Sequence, residues 1–323
     1  MSRGWALMSE QAEGGGAAWR PPDARRWLQL ALGAIWLLDA LLQYQAFMFT
    51  RSFGQMLAAT APGNPAVIAD PIIWSARIIE AHPGPTNATF ATVQLLLGLG
   101  IIWRPTVRIA LASSVVWSVA VWWLGEGLGG ILSGTASPLS GAPGAVILYA
   151  LLAVLLWPAP PGADAPFEAA RAVGARGARL LWAVLWGSLA WFAVGPAARG
   201  LHDQLSAMAS GEPSWLTAID TTVAGAVANS GLPGSIALAE VLLVIAVGIF
   251  APRLAARATV VLAIVTAAFI WVVGQDLGEI FTGSATDPQS GPLLILLAVA
   301  YWPRPLAARG PAPAGRLMPS EGN

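Results

Sequence analysis

The chain contains no cysteine and no lysine, only two histidines, and few charged residues of either sign. Without cysteine it can form no disulfide, no thiolate nucleophile and no Cys-ligated zinc or iron–sulfur centre. Its histidines, His82 and His202, are too few for a three-His metal site or for a haem held by paired intramembrane histidines. Because the net charge is zero, the sequence also shows no nucleic-acid footprint, and we expect no nucleic-acid partner.

Hydrophobic residues make up 56% of the 323 residues, charged residues only 11%, and the mean hydropathy is +0.65. A soluble domain of this length carries far more charge, so the composition predicts a polytopic protein of the lipid bilayer. A membrane-spanning helix needs roughly 20 apolar residues, although shorter runs occur. Eight runs are candidates: 27–49, 86–103, 107–124, 143–157, 179–195, 233–250, 254–273 and 292–302. The predicted fold class is therefore an all-α integral membrane protein with eight transmembrane helices.

A glycine-rich loop occurs twice in the sequence. The first repeated loop (residues 125–138) and the second (residues 274–288) each follow an apolar run containing tryptophan, Trp122 or Trp271. Each leads into a short apolar run that ends at Trp-Pro. Four spans in each copy make the two copies parallel. We therefore predict four-helix repeats at 27–158 and 179–303, a cytoplasmic linker at 159–178, a disordered tail at 1–26 and a second tail at 304–323.

The arginines predict the orientation. With the N-terminus inside, fourteen arginines fall in inner segments and only Arg51, Arg77 and Arg199 in outer ones. This positive-inside bias predicts that both termini are cytoplasmic. Since every basic residue is arginine and alanine, glycine and proline are abundant, we expect a multi-pass protein of a bacterial plasma (inner) membrane.

The last helix of each copy has only 11 to 15 residues, too few to cross about 30 Å of hydrocarbon. We expect the repeated loops to dip into the membrane and line a polar cavity. An alternative is that they serve only as packing turns. Intramembrane acids such as Asp39 and Glu240 usually face a cavity or a hydrogen-bond partner. The candidate cavity residues are Asp39, Glu126, Glu240, Asp276, Glu279, Arg51 and Arg199, where the arginines hold an anion or pair with Glu126 or Asp276.

Two further outer segments contain helical stretches, at about 65–81 and 213–229. Each is expected to lie at the outer interface as a cover over the bundle. Pro85 and Pro233 are expected to begin the helices that follow, because proline is favoured in the first turn.

The four-span layout and the Gly/Leu-rich first helix (residues 30–39) resemble DoxX/DoxD-type four-helix membrane proteins, here duplicated in tandem. The repeated loop resembles uncharacterised actinobacterial membrane proteins. The first resemblance implies an association with quinone-linked sulfur oxidation or with membrane redox partners. No cofactor is evident from the residues themselves, and the resemblance implies an accessory subunit that faces a quinone or lipid, with a quinone as the cofactor it would involve. It transfers no catalytic residue.

Three functions remain open at the level of sequence. The first is an accessory or redox-partner subunit that docks a membrane or extracytoplasmic protein. The second is a transporter or channel for a small solute or cation that uses Asp39 and Glu240. The third is an enzyme acting on a lipid or quinone at the outer face. Because no catalytic constellation is present, we expect no catalytic activity of the chain's own.

Overall fold

The computed structural model describes residues 23–159, 165–197 and 214–304, although several side chains within 214–232 are not described. This part of the chain is 75% helix without strands, which confirms the predicted all-helical class. Its α-helices are α1 Ala24–Leu42, α2 Arg51–Ala58, α3 Ala66–Ala81, α4 Pro83–Ile102, α5 Val107–Leu124, α6 Ala145–Leu155, α7 Ala170–Ala193, α8 Ser214–Gly248, α9 Arg253–Phe269 and α10 Ser290–Ala300. A π-helical turn at Ile270–Gly274 extends α9.

The helices pair in the same order in the two halves. In the first half α1 packs on α4, α4 on α5, and α5 on α6. In the second half α7 packs on α8, α8 on α9, and α9 on α10. The two short helices α6 and α10 contact each other at the centre, where both are mostly buried. Helices α1 and α7 turn one apolar stripe inward, through residues spaced four apart such as Leu32 and Trp36, or Trp182 and Trp186.

Three helical segments are long and apolar enough to cross a membrane, judged by length and composition: Pro83–Ile102, Arg104–Leu124 and Arg253–Gly274. Three shorter apolar segments accompany them, at Ala145–Leu155, Pro233–Gly248 and Ser290–Ala300. The protein is therefore a helical protein with membrane-spanning character. The count of eight spans and the orientation of the termini remain predictions.

Two predicted boundaries differ from the structure. Helix α8 runs without a break from Ser214 to Gly248, so Pro233 lies inside it and does not begin a new helix. The expectation of a separate interfacial helix at 213–229 is therefore wrong. Helix α7 begins at Ala170, inside the predicted linker, and is kinked at Gly174, whose φ of 75° is left-handed. At the corresponding place in the first half the helix is interrupted, at His82 between α3 and α4.

The last helices of the two halves, α6 and α10, each have 11 residues and are about 17 Å long. Their short length confirms the expectation from the sequence. In each half a tryptophan before the loop donates to the carbonyl of the proline that precedes the short helix. Trp122 Nε1 lies 2.7 Å from the Pro143 oxygen, and Trp271 Nε1 lies 2.9 Å from the Pro288 oxygen. The geometric counterpart of Pro288 is thus Pro143, although Pro138 and Pro288 are the last residues of the two repeated loops in the sequence.

The same glycine position allows the close crossing in both loops. Gly129 (φ 63°) and Gly278 (φ 80°) have left-handed backbones, and an added Cβ would run into Pro143 and Pro288 respectively. Glycine is required at such a position because it tolerates this conformation and has no side chain.

The opposite end of the bundle is closed by an ion-pair cluster around the buried Glu168. Arg25 lies 3.5 Å and Arg171 3.1 Å from Glu168 Oε2, and Arg304 contacts Oε1. Arg25 also donates to the carbonyls of Leu155 (3.1 Å) and Glu168 (2.6 Å). Since these residues come from α1, from the segment before α7, from α7 itself and from beyond α10, the cluster joins both halves of the chain. We call this the arginine end, and the end that carries the repeated loops the loop end.

Candidate functional site

A cavity of about 220 Å³ lies inside the first half, between α1, α2, α3, α4 and α5. Its wall is mainly apolar and aromatic, and it includes several polar side chains. The lining residues that matter for its chemistry are Trp36, Asp39, Gln43, Phe53, Ser75, Phe90, Gln94, Trp117, Glu126, Thr286 and Asp287.

Asp39 lies deepest among the acids, on the inward face of α1, and is only 1% exposed. Its Oδ2 accepts a hydrogen bond of 2.5 Å from the hydroxyl of Tyr149, which lies one turn into α6. The Tyr149 ring packs against Trp36 with their centroids 4.1 Å apart. Oδ1 of Asp39 is buried and has no hydrogen-bond partner. One oxygen is thus fixed by the protein, and the other is left for a ligand that can donate.

Two buried glutamines add to the acceptors of this cavity. Gln43 is the C-cap of α1, and Gln94 lies on the inward face of α4. The side-chain oxygens of both are buried without a partner. Unpaired buried polar atoms are costly, so several of them around one cavity indicate a place suited to a donor-rich or cationic guest.

Glu126 stands where the cavity meets the repeated loop. Its Oε1 accepts from the backbone N–H of Val146 at 3.1 Å and so caps the start of α6. Its Oε2 is buried without a partner and lies against the space that a Cβ on Gly144 would fill. Burial, followed by the nearby Asp287, raises the pKa of Glu126 to about 8. A pKa of about 8 favours the protonated carboxyl group at neutral pH.

A second and wider space of about 540 Å³ opens beyond Glu126, and we call it the vestibule. Glycines and hydroxyl side chains of the first repeated loop line it, together with residues of the second. Glu126, Thr286 and Asp287 border both the cavity and the vestibule. The vestibule is lined by Thr60, Gly129, Gly130, Ser133, Thr135, Ser140, Gly144, Gln289 and others.

The second repeated loop lies over the first half of the chain and is hydrogen-bonded to it. Gln275 Nε2 donates to the Pro138 carbonyl at 3.2 Å, and Gln45 Nε2 donates to the Ala285 carbonyl at 3.3 Å. Asp287 is held by the Gln289 N–H at 2.7 Å and the Thr286 hydroxyl at 2.9 Å. Burial nevertheless raises the pKa of Asp287 above its ordinary value. The site is thus assembled from both halves of the chain.

Six of the seven residues predicted from the sequence lie in the described part of the chain, and two of these six meet at this site. Asp39 and Glu126 line the cavity, as expected. Glu240 is exposed on α8, Glu279 is exposed in the second loop, and neither borders the cavity or the vestibule. The remaining three are distributed as follows: Asp276 is buried within the second loop away from both spaces, Arg51 is exposed at the start of α2, and Arg199 falls outside the described residues. Glu126 is capped by a backbone N–H, and no ion pair with Arg51 is formed.

Sequence reasoning did not select Asp287, Gln43, Gln94 and Tyr149. Asp287 carried a signal, since it is an acid within the second repeated loop. The glutamines and the tyrosine carried none, because their roles depend on which helix faces point at each other. Among the described residues that line either space, none is basic.

No group of three or more His, Asp and Glu side chains suited to hold a metal ion occurs in the described parts of the chain. No protein-family model matches the sequence, and neither the curated proteins nor the solved structures include a detectable relative. The resemblance to DoxX/DoxD-type proteins stays a prediction.

Proposed function

We propose that this protein binds a small cation that enters from the loop end, and that it carries this cation across the membrane. The observation that supports this most directly is the pair of unpartnered carboxylate oxygens, Asp39 Oδ1 and Glu126 Oε2, on residues that line the same cavity. Buried carboxylates are costly unless a positive charge or a proton compensates them. The described lining supplies no basic side chain, so the compensating charge comes from a proton or a guest.

The proposed architecture is eight spans arranged as two parallel four-helix repeats, with both termini in the cytoplasm. The identical helix pairing and the matching tryptophan-to-proline hydrogen bonds of the two halves support a duplication. Under this arrangement the vestibule faces outward and the arginine end faces the cytoplasm of a bacterium. Single cysteines at Ser133 in the vestibule and at exposed Arg104 test the orientation in intact cells. An impermeant thiol reagent should label only the first.

The function is tested by uptake into proteoliposomes. The probes are methylammonium, tetramethylammonium, Na⁺ and K⁺, each supplied at the side to which the loop end faces. We expect Asp39→Asn and Glu126→Gln to abolish uptake of the transported cation, while Glu240→Gln, at an exposed acid of similar chemistry, leaves it unchanged. Equal uptake by the wild type and both cavity variants would refute the proposal, as would loss of uptake in Glu240→Gln alone.

One observation favours the accessory-subunit function as a second candidate. Glu240 is exposed on a face of α8 that is otherwise apolar, beside Ile236, Leu243 and Val247. A carboxyl group on a lipid-facing surface is costly, and a partner helix with a hydrogen-bond donor would cover it. Purification in mild detergent with mass spectrometry of what co-elutes tests this candidate. A stoichiometric partner, lost in Glu240→Gln, would support it. The cavity does not favour an oxidised quinone, whose carbonyls need donors, because its unpartnered groups are acceptors.

A further inference from the structure

Aromatic rings line the cavity together with the acids, and this restricts the kind of cation. Phe90 packs edge-on against Trp117 with centroids 5.6 Å apart, and against Phe53 at 6.4 Å. Trp36 closes the side next to Asp39. Aromatic faces attract ammonium groups, and their apolar surface favours a carbon skeleton. Inorganic cations instead prefer a shell of several oxygen ligands and gain nothing from a carbon skeleton.

The cavity's size sets the size of the guest. A protein cavity of about 150 Å³ accommodates benzene, which has six non-hydrogen atoms. By proportion, the cavity of about 220 Å³ holds about eight to ten. That is enough for an amine with a short chain and one ring, and too little for a steroid or a long acyl chain.

The protonation of Glu126 determines whether a proton leaves the site when the cation binds. It borders the vestibule as well as the cavity, so a proton leaving its carboxyl group has a polar space to enter. The titratable groups of this site are Asp39 on α1, Tyr149 on α6 and Asp287 ahead of α10, and none of them is basic. Burial, followed by the nearby Asp287, raises the pKa of Glu126 and so favours a proton on this carboxyl group while the cavity is empty. A cation that binds beside Glu126 shifts the protonation equilibrium of this side chain towards the carboxylate.

We propose that the guest is an organic ammonium ion with a compact apolar body, and that its binding releases the proton of Glu126 into the vestibule. The ammonium keeps its own hydrogens and donates them to Asp39 Oδ1 and Glu126 Oε2. One positive charge enters and one proton leaves, so the exchange is electroneutral. This inference rests on the proposed function and specifies its substrate class and its coupling.

The test is isothermal titration calorimetry of the purified full-length protein in detergent. The probes are 2-phenylethylammonium, which has nine non-hydrogen atoms, its neutral analogue 2-phenylethanol, and K⁺. Titrations in phosphate and in Tris, whose ionisation enthalpies differ, count the protons released. For a group with a pKa of about 8, we expect about 0.9 proton released at pH 7 and about 0.1 at pH 9. The ammonium should bind at least tenfold more tightly than the alcohol.

Two variants separate the parts of the inference. Glu126→Gln should bind the ammonium more weakly and release no proton. Phe90→Leu, which keeps an apolar wall but removes the π face, should weaken ammonium binding about three- to tenfold and leave the alcohol unchanged. Glu240→Gln is the control and should match the wild type in both affinity and proton count.

The failures are distinguishable. If the alcohol binds as tightly as the ammonium, both the inference and the cation-binding function are refuted. If K⁺ binds with loss in Asp39→Asn while the ammonium does not bind, the proposed function survives and the substrate class is refuted. If the ammonium binds without proton release at pH 7, the exchange is refuted and the substrate class stands.

Discussion

Raising the pH from 5 to 8 should destabilise this protein, and replacing Glu126 with glutamine should remove much of that dependence. Glu126 has an ordinary pKa of 4.5 that burial, and then Asp287, raises to about 8 in the folded protein. Between these values the folded state holds a proton that the unfolded state has lost. The free energy of unfolding therefore falls as the pH rises through this window and is fully retained below pH 4.5.

The magnitude follows from the size of the shift. A displacement from 4.5 to about 8, at about 1.4 kcal/mol per pKa unit, gives an upper limit of about 5 kcal/mol. Glutamine is a suitable replacement because the second loop already contains it at the corresponding place. There, Gln275 Oε1 accepts from the Gly291 N–H at 3.1 Å, as Glu126 Oε1 accepts from Val146. The variant should keep the cap on α6 and lose only the titration.

The assay is thermal unfolding in detergent, followed by intrinsic tryptophan fluorescence in steps between pH 5 and 9. The wild-type Tm should fall by several degrees across this range, and the Glu126→Gln curve should be flatter and lie above it at pH 8. Asp70→Asn, which changes an exposed carboxyl group of α3, is the matched control and should follow the wild type. Parallel curves for the wild type and Glu126→Gln would refute the assignment of the buried proton to this residue.

Three further changes test the packing around the site and at the arginine end. Replacing Glu168 with glutamine leaves three arginines without their shared carboxylate, and should cost about 3–5 kcal/mol of unfolding free energy in denaturant titrations; a loss below 1 kcal/mol would contradict a structural role. Tyr149→Phe removes the donor to the buried aspartate of α1 and should cost about 1–3 kcal/mol by the same measurement, with no loss if water replaces the hydroxyl. Gly129→Ala should lower the Tm much more than Gly134→Ala. Both positions have positive φ, but only at Gly129 would the new methyl group run into a backbone carbonyl. Equal effects of the two substitutions on the Tm would refute the close crossing.

Length and hydrophobic periodicity were sufficient to predict much of the fold. Helix α5 has the predicted bounds, and the two 11-residue helices were expected from the short apolar runs before Trp-Pro. Pro233 misled the prediction because proline usually starts a helix. Within an apolar bundle, however, neighbouring groups can satisfy the freed carbonyl, and the helix continues.

The candidate site could be predicted only in part, because the sequence does not show how the helices are oriented. An acid in an apolar helix signals a constraint, but the sequence does not say which side of the helix faces inward. Asp39 follows the stripe of Leu32 and Trp36 and is buried, whereas Glu240 lies on the exposed side of α8. Glu126 was identified from its place in a repeated loop. The contribution of Asp287 could not be predicted, because it depends on the second loop lying over the first half.

Gln275 occupies the position in the second loop that Glu126 occupies in the first, and this bears on the number of guests that one chain binds. Position 126 in the first loop is ionisable, and position 275 in the second loop makes the same bond with an amide. Tyr149, the donor to Asp39, likewise corresponds along the short helices to Leu294, which has no hydroxyl group. We therefore expect one guest per chain. The first half supplies the cavity with Asp39 and Glu126, and the second supplies the loop that covers it, so substitutions in this loop away from Thr286 and Asp287 should alter access to the cavity and leave its acids intact.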